Sequence, residues 1–299
     1  MESTNKDLYD EINIKNLFEV LSNRKLFILI TTTVFSFISL SYALILPDKY
    51  VSIAVLAPAD EENYNSGGLS SLSSLAGVSG LGLSSNILAK KTEAIKRIES
   101  YEFFSKYFLP SIRLQDLMAV DKWDKNTNTI YYNSRKFDVE KNIWTKKDKP
   151  SIQDSYQEYR KILTIFDDKK TSFVTISIEH FSPNISKQWT EILLEQIDEN
   201  MRSNDRVNAI KSIDFLKTRL ESTKLEEIRA VISNLIASQE KILMLSETSS
   251  NYIFKVIDSP YAPEENLKPN RLIILIVGTF FGFLSAVIYT LLRYLFRKD

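Results

Sequence analysis

Two uninterrupted apolar stretches, Leu26 to Leu46 and Leu272 to Leu292, bracket more than two hundred mostly polar residues. Each has about the 20 residues a helix needs to cross a hydrocarbon core, and neither contains a charged side chain. Arg24 and Lys25 flank the first stretch, and Arg293, Arg297 and Lys298 follow the second. Both basic clusters lie on the outer sides of the pair, so the positive-inside tendency predicts cytoplasmic termini and an external segment 47–270. Asp48, Lys49 and Arg271 crowd the opposite ends and count against this orientation. A cleaved signal peptide is the competing reading of the first stretch. It is disfavoured because the apolar run is long, acidic residues including Glu2, Asp7 and Glu19 precede it, and Leu-Ile-Leu-Pro-Asp at 44–48 lacks a small-residue cleavage pattern.

Between the spans, alternation at Val51, Ile53 and Val55 predicts a strand directly after Pro47. Residues 65–86 hold five of the seven glycines, with Leu69, Leu72, Leu75, Val78, Leu81 and Leu83 set among serines. No Gly-Lys-Ser/Thr follows, so this is no phosphate-cradling loop; it reads as an apolar loop, flexible or packed against a neighbouring subunit. Asn86 then caps a helix predicted from Ile87 to about Tyr101, and Ser151 caps another reaching Leu163. The Lys-, Asp- and Asn-rich stretch 119–150 carries Trp123, Tyr131, Tyr132 and Trp144, read as a solvated segment whose aromatics anchor it to the core.

Thr171 to His180 is predicted as a second strand, and Ser182-Pro183 as a sharp helix start, since proline at the first helical position sacrifices no hydrogen bond. From Asn184 to Ser246 there is no glycine or proline, and apolar residues recur at helical spacing. One continuous helix of that length would reach roughly 90 Å. Breaks are therefore expected at Arg202 to Arg206 or at Ser222 to Lys224, with Glu195, Asp198 and Glu199 on a solvated face. A heptad coiled coil is the alternative. Tyr252 to Ile257 is predicted as the third strand.

Pro260, Pro263 and Pro269, three prolines within ten residues, predict an extended, stiff collar leading through Arg271 into the second span. Inside that span, Gly278 and Gly282 lie one turn apart, a close-packing face for another helix. The fold class predicted is an α+β membrane protein: 1–25 cytoplasmic, 26–46 first span, 47–270 outer domain, 271–292 second span, 293–299 cytoplasmic tail. Within the outer domain the α/β base comprises 47–181 and 251–259, the long helices 183–248, and the collar 260–270.

Charge and chemistry narrow the function. The 38 basic and 38 acidic residues cancel, and 47–270 holds 30 of the former against 32 of the latter, so no overall field draws nucleic acid or an anionic polymer. Cysteine is absent, which excludes disulfides and thiol chemistry. His180 is the only histidine and has no partner for an imidazole-rich metal site, so a structural role at the strand end is expected. No carboxylate pair, nucleophile motif or cofactor loop stands out, and neither enzyme activity nor a cofactor is expected.

The whole order, carried by Ile12 to Arg24 with Leu17, Phe18 and Leu21, by the Ser70 to Leu83 loop, by Ile178 to Pro183, and above all by Tyr252 to Pro260 with Pro263, Pro269 and Arg271, resembles the bacterial polysaccharide co-polymerases of the Wzz chain-length-determinant type. The resemblance implies an inner-membrane, ring-shaped homo-oligomer with a periplasmic outer domain. It would set the length of O-antigen or a related surface polysaccharide, performing no chemistry itself. Its implied partners are a Wzy-type polysaccharide polymerase, the growing lipid-linked polysaccharide and membrane lipids, with no nucleic acid. The seven residues after the second span leave no room for a kinase domain in cis. A capsule or exopolysaccharide export component and a two-span receptor are the competing readings; the receptor is disfavoured because the flanking segments are too short for a transmitter domain.

Overall fold

The computed structural model describes residues 21–59, 83–145 and 149–296. The predicted Gly-Ser-Leu loop up to residue 82, most of the N-terminal segment before the first span, and Arg297 and Lys298 lie outside these residues. The chain forms two compact units, one of the spans and their flanks, the other of residues 49–266.

The first unit contains α1 (Lys25–Ile45). The second begins with β1 (Tyr50–Pro58), whose even-numbered residues Tyr50, Ser52, Ala54 and Leu56 are buried while the odd-numbered ones are only partly covered. The period of two is the one expected, but Val51, Ile53 and Val55, which carry it in the sequence, lie on the partly covered face and not on the fully buried one. Next comes α2 (Leu83–Ile98), which begins upstream of the predicted Asn86 cap. It stops before Ser100, whose hydroxyl accepts from the Phe103 N–H (3.1 Å) to start a helical stretch over 101–111. α3 (Leu114–Met118) leads into two small antiparallel hairpins, β2 (Val120–Asp124) with β3 (Thr129–Tyr132), and β4 (Phe137–Asp138) with β5 (Ile143–Trp144).

Asn128 and Asn142, with φ of 50° and 54°, turn these hairpins in the left-handed region that asparagine tolerates. The aromatics anchor them as expected: Trp123 meets the Tyr50 ring edge-on at 5.3 Å, and buried Phe137 meets Trp144 at 5.3 Å. α4 (Ile152–Ile162) is capped by Ser151, which accepts from the Asp154 N–H at 3.0 Å. β6 (Leu163–Asp167) follows it with no intervening loop, and then β7 (Val174–His180). The main sheet is fully antiparallel, ordered β6-β7-β1 and then the last strand, β8 (Phe254–Asp258).

The 40-residue α5 (Pro183–Ser222), about 60 Å long, crosses this sheet. Its first half buries Ile185, Trp189, Leu193, Ile197 and Met201 in the core. Beyond Met201 only Ala209 and Ile213 are buried, and its partner there is α6 (Glu226–Thr248). Arg202 to Arg206 lies in uninterrupted helix; the break falls at Thr223 to Leu225 alone. There the Ser222 and Thr223 hydroxyls both donate to the Arg219 carbonyl, competing with the helical ladder, and Arg229 donates across the turn to the Leu220 and Thr223 carbonyls.

α5 is tied to the sheet through a hydroxyl. Ser52 and Ile178 face each other in the β1–β7 register, and the Ser186 hydroxyl accepts from the Ser52 N–H (2.7 Å) while donating to the Ile178 carbonyl (2.8 Å). All of this is buried. Ser186→Ala strands both backbone groups, and a buried unsatisfied group costs about 1–3 kcal/mol. The expected outcome is a thermal midpoint lowered by roughly 2–4 °C for each kcal/mol lost. An unchanged midpoint in a melting scan would show that Ser52 N–H reaches the Ile178 carbonyl directly.

Candidate functional site

In the outer domain, the residues expected to break or merely solvate the long helix form a clamp. Asp198, Arg202 and Asp205 share one face of α5. The Arg202 guanidinium donates to the Ser246 and Ser249 carbonyls at 3.1 and 2.7 Å, closing the C-terminus of α6, and pairs with Asp198 at 2.5 Å. Asp198 also accepts from the Tyr252 and Ile253 N–H groups at 3.0 and 3.1 Å. Asp205 accepts from the Tyr252 hydroxyl at 2.6 Å and pairs with Lys90 of α2 at 2.8 Å. Burial, followed by that bond to Asp205, holds the Tyr252 hydroxyl well above its ordinary pKa. Asp198 is thus no solvated surface carboxylate: it fixes the chain where it returns from α6 to β8.

The collar leaves β8 directly. Pro260 and Pro263 are buried in the outer domain, whereas Glu264 and Glu265 are exposed. Pro269 belongs to the span unit, is partly buried, and follows a cis Lys268–Pro269 bond. Asn270 then caps α7 (Arg271–Leu295), accepting from the Ile273 N–H at 3.2 Å.

α7 and α1 are both long and apolar enough to cross a membrane, and they pack as an antiparallel pair. As numbers rise along α1 they fall along α7: Phe27 meets Tyr289 (rings 5.4 Å apart), Phe35 meets Gly282, Ser39 meets Gly278, and Asp48 pairs with Arg271 at 2.7 Å. Side chains as apolar as lipid tails gain nothing by leaving lipid, so such pairs depend on close approach and hydrogen bonds. Both are present. A Cβ at Gly278 would lie 2.1 Å from the Ser39 hydroxyl oxygen, and one at Gly282 would lie 2.5 Å from the Phe35 Cβ. The approach lets the Ser39 hydroxyl donate to the Ile274 carbonyl at 2.8 Å. Ala43 and Ala286 are buried.

The glycine face anticipated from Gly278 and Gly282 therefore receives the chain's own first span. Sequence reasoning found the two glycines and Arg271 but not Ser39 or Phe35, because neither residue differs from its apolar and small neighbours in any local pattern. Asp48 had been noted only as a charge at the wrong end; its pairing with Arg271 cancels that charge locally.

Gly278→Leu with Gly282→Leu is expected to part the two helices without preventing membrane insertion, because span hydrophobicity rises. The chain has no native cysteine, so a pair placed at Phe27 and Tyr289 reports directly. A short bismaleimide should cross-link that pair within one chain in the parent and lose at least most of the yield in the double-leucine variant. Equal yields would mean that the seam repacks around the added side chains.

Residues 10–108 match the family model described as Wzz: Chain length determinant protein. They run from before α1 through β1 and α2 to Phe108, about a third of the chain. Among solved structures, a full-length bacterial polysaccharide co-polymerase is 13% identical, with 98% of this chain and 99% of that one covered and a TM-score of 0.39. A fragment of WzzB, the polysaccharide co-polymerase from Salmonella Typhimurium, is 14% identical, with 74% of this chain and 100% of that one covered and a TM-score of 0.36. No curated protein matches the chain. The chain is an α+β protein with two helices long and apolar enough to cross a membrane, and its residues 10–108 are similar to the Wzz chain length determinant family.

Proposed function

We propose that this protein sets the length of O-antigen or a related surface polysaccharide, acting in the inner membrane beside a Wzy-type polymerase and catalysing no bond itself. The observation that carries the reading is the Wzz match over residues 10–108, which takes in the first span and the first part of the base of the outer domain. The antiparallel pairing of α1 and α7 supports a topology with both flanks on one side. Arg271 is paired with Asp48, while Arg24, Lys25 and Arg293 flank the opposite ends of the two spans, which favours cytoplasmic termini and a periplasmic domain. Homo-oligomerisation is supported by large apolar side chains left exposed on α5 and α6, among them Val207, Ile210, Phe215, Val231 and Leu235.

Deleting the protein from its host should replace a modal polysaccharide ladder with an unregulated distribution, restored by the full-length chain; an unchanged ladder on gels would overturn the reading. The collar has a geometric part in this proposal, coupling the last strand of the sheet to α7. Replacing Pro260, Pro263 and Pro269 together with alanine frees φ along it. The expected result is a shortened or broadened length distribution at normal membrane abundance. A parental distribution at parental abundance would make the collar a passive linker.

Mass measurement on the full-length protein in detergent should give a multiple of the 34.5 kDa chain. A monomer at micromolar concentration would remove the ring from the proposal.

A further inference from the structure

His180 closes β7 and is 5% exposed. Its two ring nitrogens have opposite duties. The Ser182 N–H donates to Nδ1 at 2.9 Å, so Nδ1 carries no proton; Nε2 carries it and faces the Asp116 carbonyl oxygen at 3.0 Å. One imidazole thereby joins three elements: α3 through Asp116, β7 through its own backbone, and α5 through Ser182, the residue that opens that helix. The ring edge is packed against Trp189 of α5 at 4.9 Å and Phe181 at 6.0 Å.

The charged neighbours do little to welcome an imidazolium. From α3, the Asp116 carboxylate is engaged by Arg113 (2.9 Å) and by the Tyr132 hydroxyl of β3 (2.6 Å). Lys49, ahead of β1, brings a positive charge and is paired with Glu179 of β7 at 2.7 Å. α5 contributes Ser182 and the Trp189 ring, neither of which titrates near neutrality. Burial is the largest influence, and it holds the His180 pKa below the ordinary 6.5, although the Asp116 carbonyl and carboxylate pull the other way.

We propose that His180 is an acid-sensitive latch on α5: a proton taken at Nδ1 sets two donors against each other, and the first turn of α5 lets go of β7 and α3 to relieve the conflict. The sign follows from linkage. The folded pKa lies below that of the unfolded chain, so the neutral-ring contacts stabilise fully above pH 6.5. That stability is lost as pH falls below 6.5 toward the folded value. A difference of one bound proton raises the unfolding or opening equilibrium constant by as much as about tenfold per pH unit in that window.

Because His180 is the sole histidine, the full-length protein in detergent micelles gives a single imidazole signal to follow by nuclear magnetic resonance. The ring is expected to be less protonated at pH 6.5 than an exposed histidine, which is about half protonated there. Hydrogen exchange, corrected for its intrinsic pH dependence, should rise between pH 7.5 and 5.5 in the segments 112–118 and 180–190 before it rises in β1 and β6. His180→Asn supplies a carboxamide oxygen to Ser182 without a titrating group. It should lose the wild-type acid sensitivity, up to tenfold per pH unit, whatever its stability at neutral pH. A ring that titrates at its ordinary pKa, uniform exchange across the domain, or equal acid slopes in wild type and His180→Asn would each overturn the latch. If the variant does not fold, the signal and exchange of the wild-type protein still decide.

Discussion

The seating of α5 on the β1–β7 pair is the constraint from which the rest of the outer domain follows. A helix about 60 Å long cannot be buried along its whole length by a four-stranded sheet of five- to nine-residue strands. Its first half is therefore core and its second half needs a partner, which α6 provides on the way back. Ser186 decides how closely the core half approaches, because only a small hydroxyl both fits beneath the helix and completes the hydrogen bonding of Ser52 and Ile178. Asp198, Arg202 and Asp205 then mark the point where the sheet ends and the return segment is received. His180 and Ser182 fasten the other end of the same helix.

The spans obey a different solvent. In hydrocarbon, apolar side chains give helices no reason to associate, while every polar backbone group must be bonded internally. The helical ladders of α1 and α7 bond their own backbone, and hydroxyls in both donate back to the same helix, as Thr33 does to the Leu29 carbonyl and Thr279 to the Leu275 carbonyl. The two helices then spend their small residues on a seam where Ser39 crosses to Ile274. An exposed ion pair such as Asp48–Arg271 adds little energy by itself. Its use is to remove two charges of opposite sign from one end of the pair.

Residue patterns exposed much of this. β1 and β7 alternate visibly, Ser151 and Ser182-Pro183 mark helix starts, and the Ser222 to Lys224 break coincides with side chains that compete for helical carbonyls. β6 escaped because Leu163 to Asp167 follows α4 with no glycine, proline or polar turn between them, so a helical period runs straight into an extended one. The small hairpins escaped because strands of two to five residues are too short to establish a period; only Asn128 and Asn142 signal their turns. Arg202 to Arg206 looked like a break because five polar residues in a row carry no apolar repeat. In the fold Arg202 faces the Ser246 and Ser249 carbonyls, Asp205 the Tyr252 hydroxyl and Lys90, and Arg206 the Glu247 carboxylate, polar partners that no hydropathy pattern records.

What the sequence by itself determined is local and periodic: two spans of membrane length, alternating strands, helix starts, and a resemblance carried by the order of these parts. Only the tertiary structure decided who meets whom. Gly278 and Gly282 announce that something approaches closely, but that the approaching residues are Ser39 and Phe35 depends on the antiparallel register of two helices more than two hundred residues apart. Likewise a lone histidine at a strand end has no fixed tautomer until Ser182 and Asp116 are brought to its two nitrogens. The reason is physical: hydrophobic period and backbone propensity act over a few residues, whereas hydrogen-bond partners and contact distances are set by packing between segments remote in the chain.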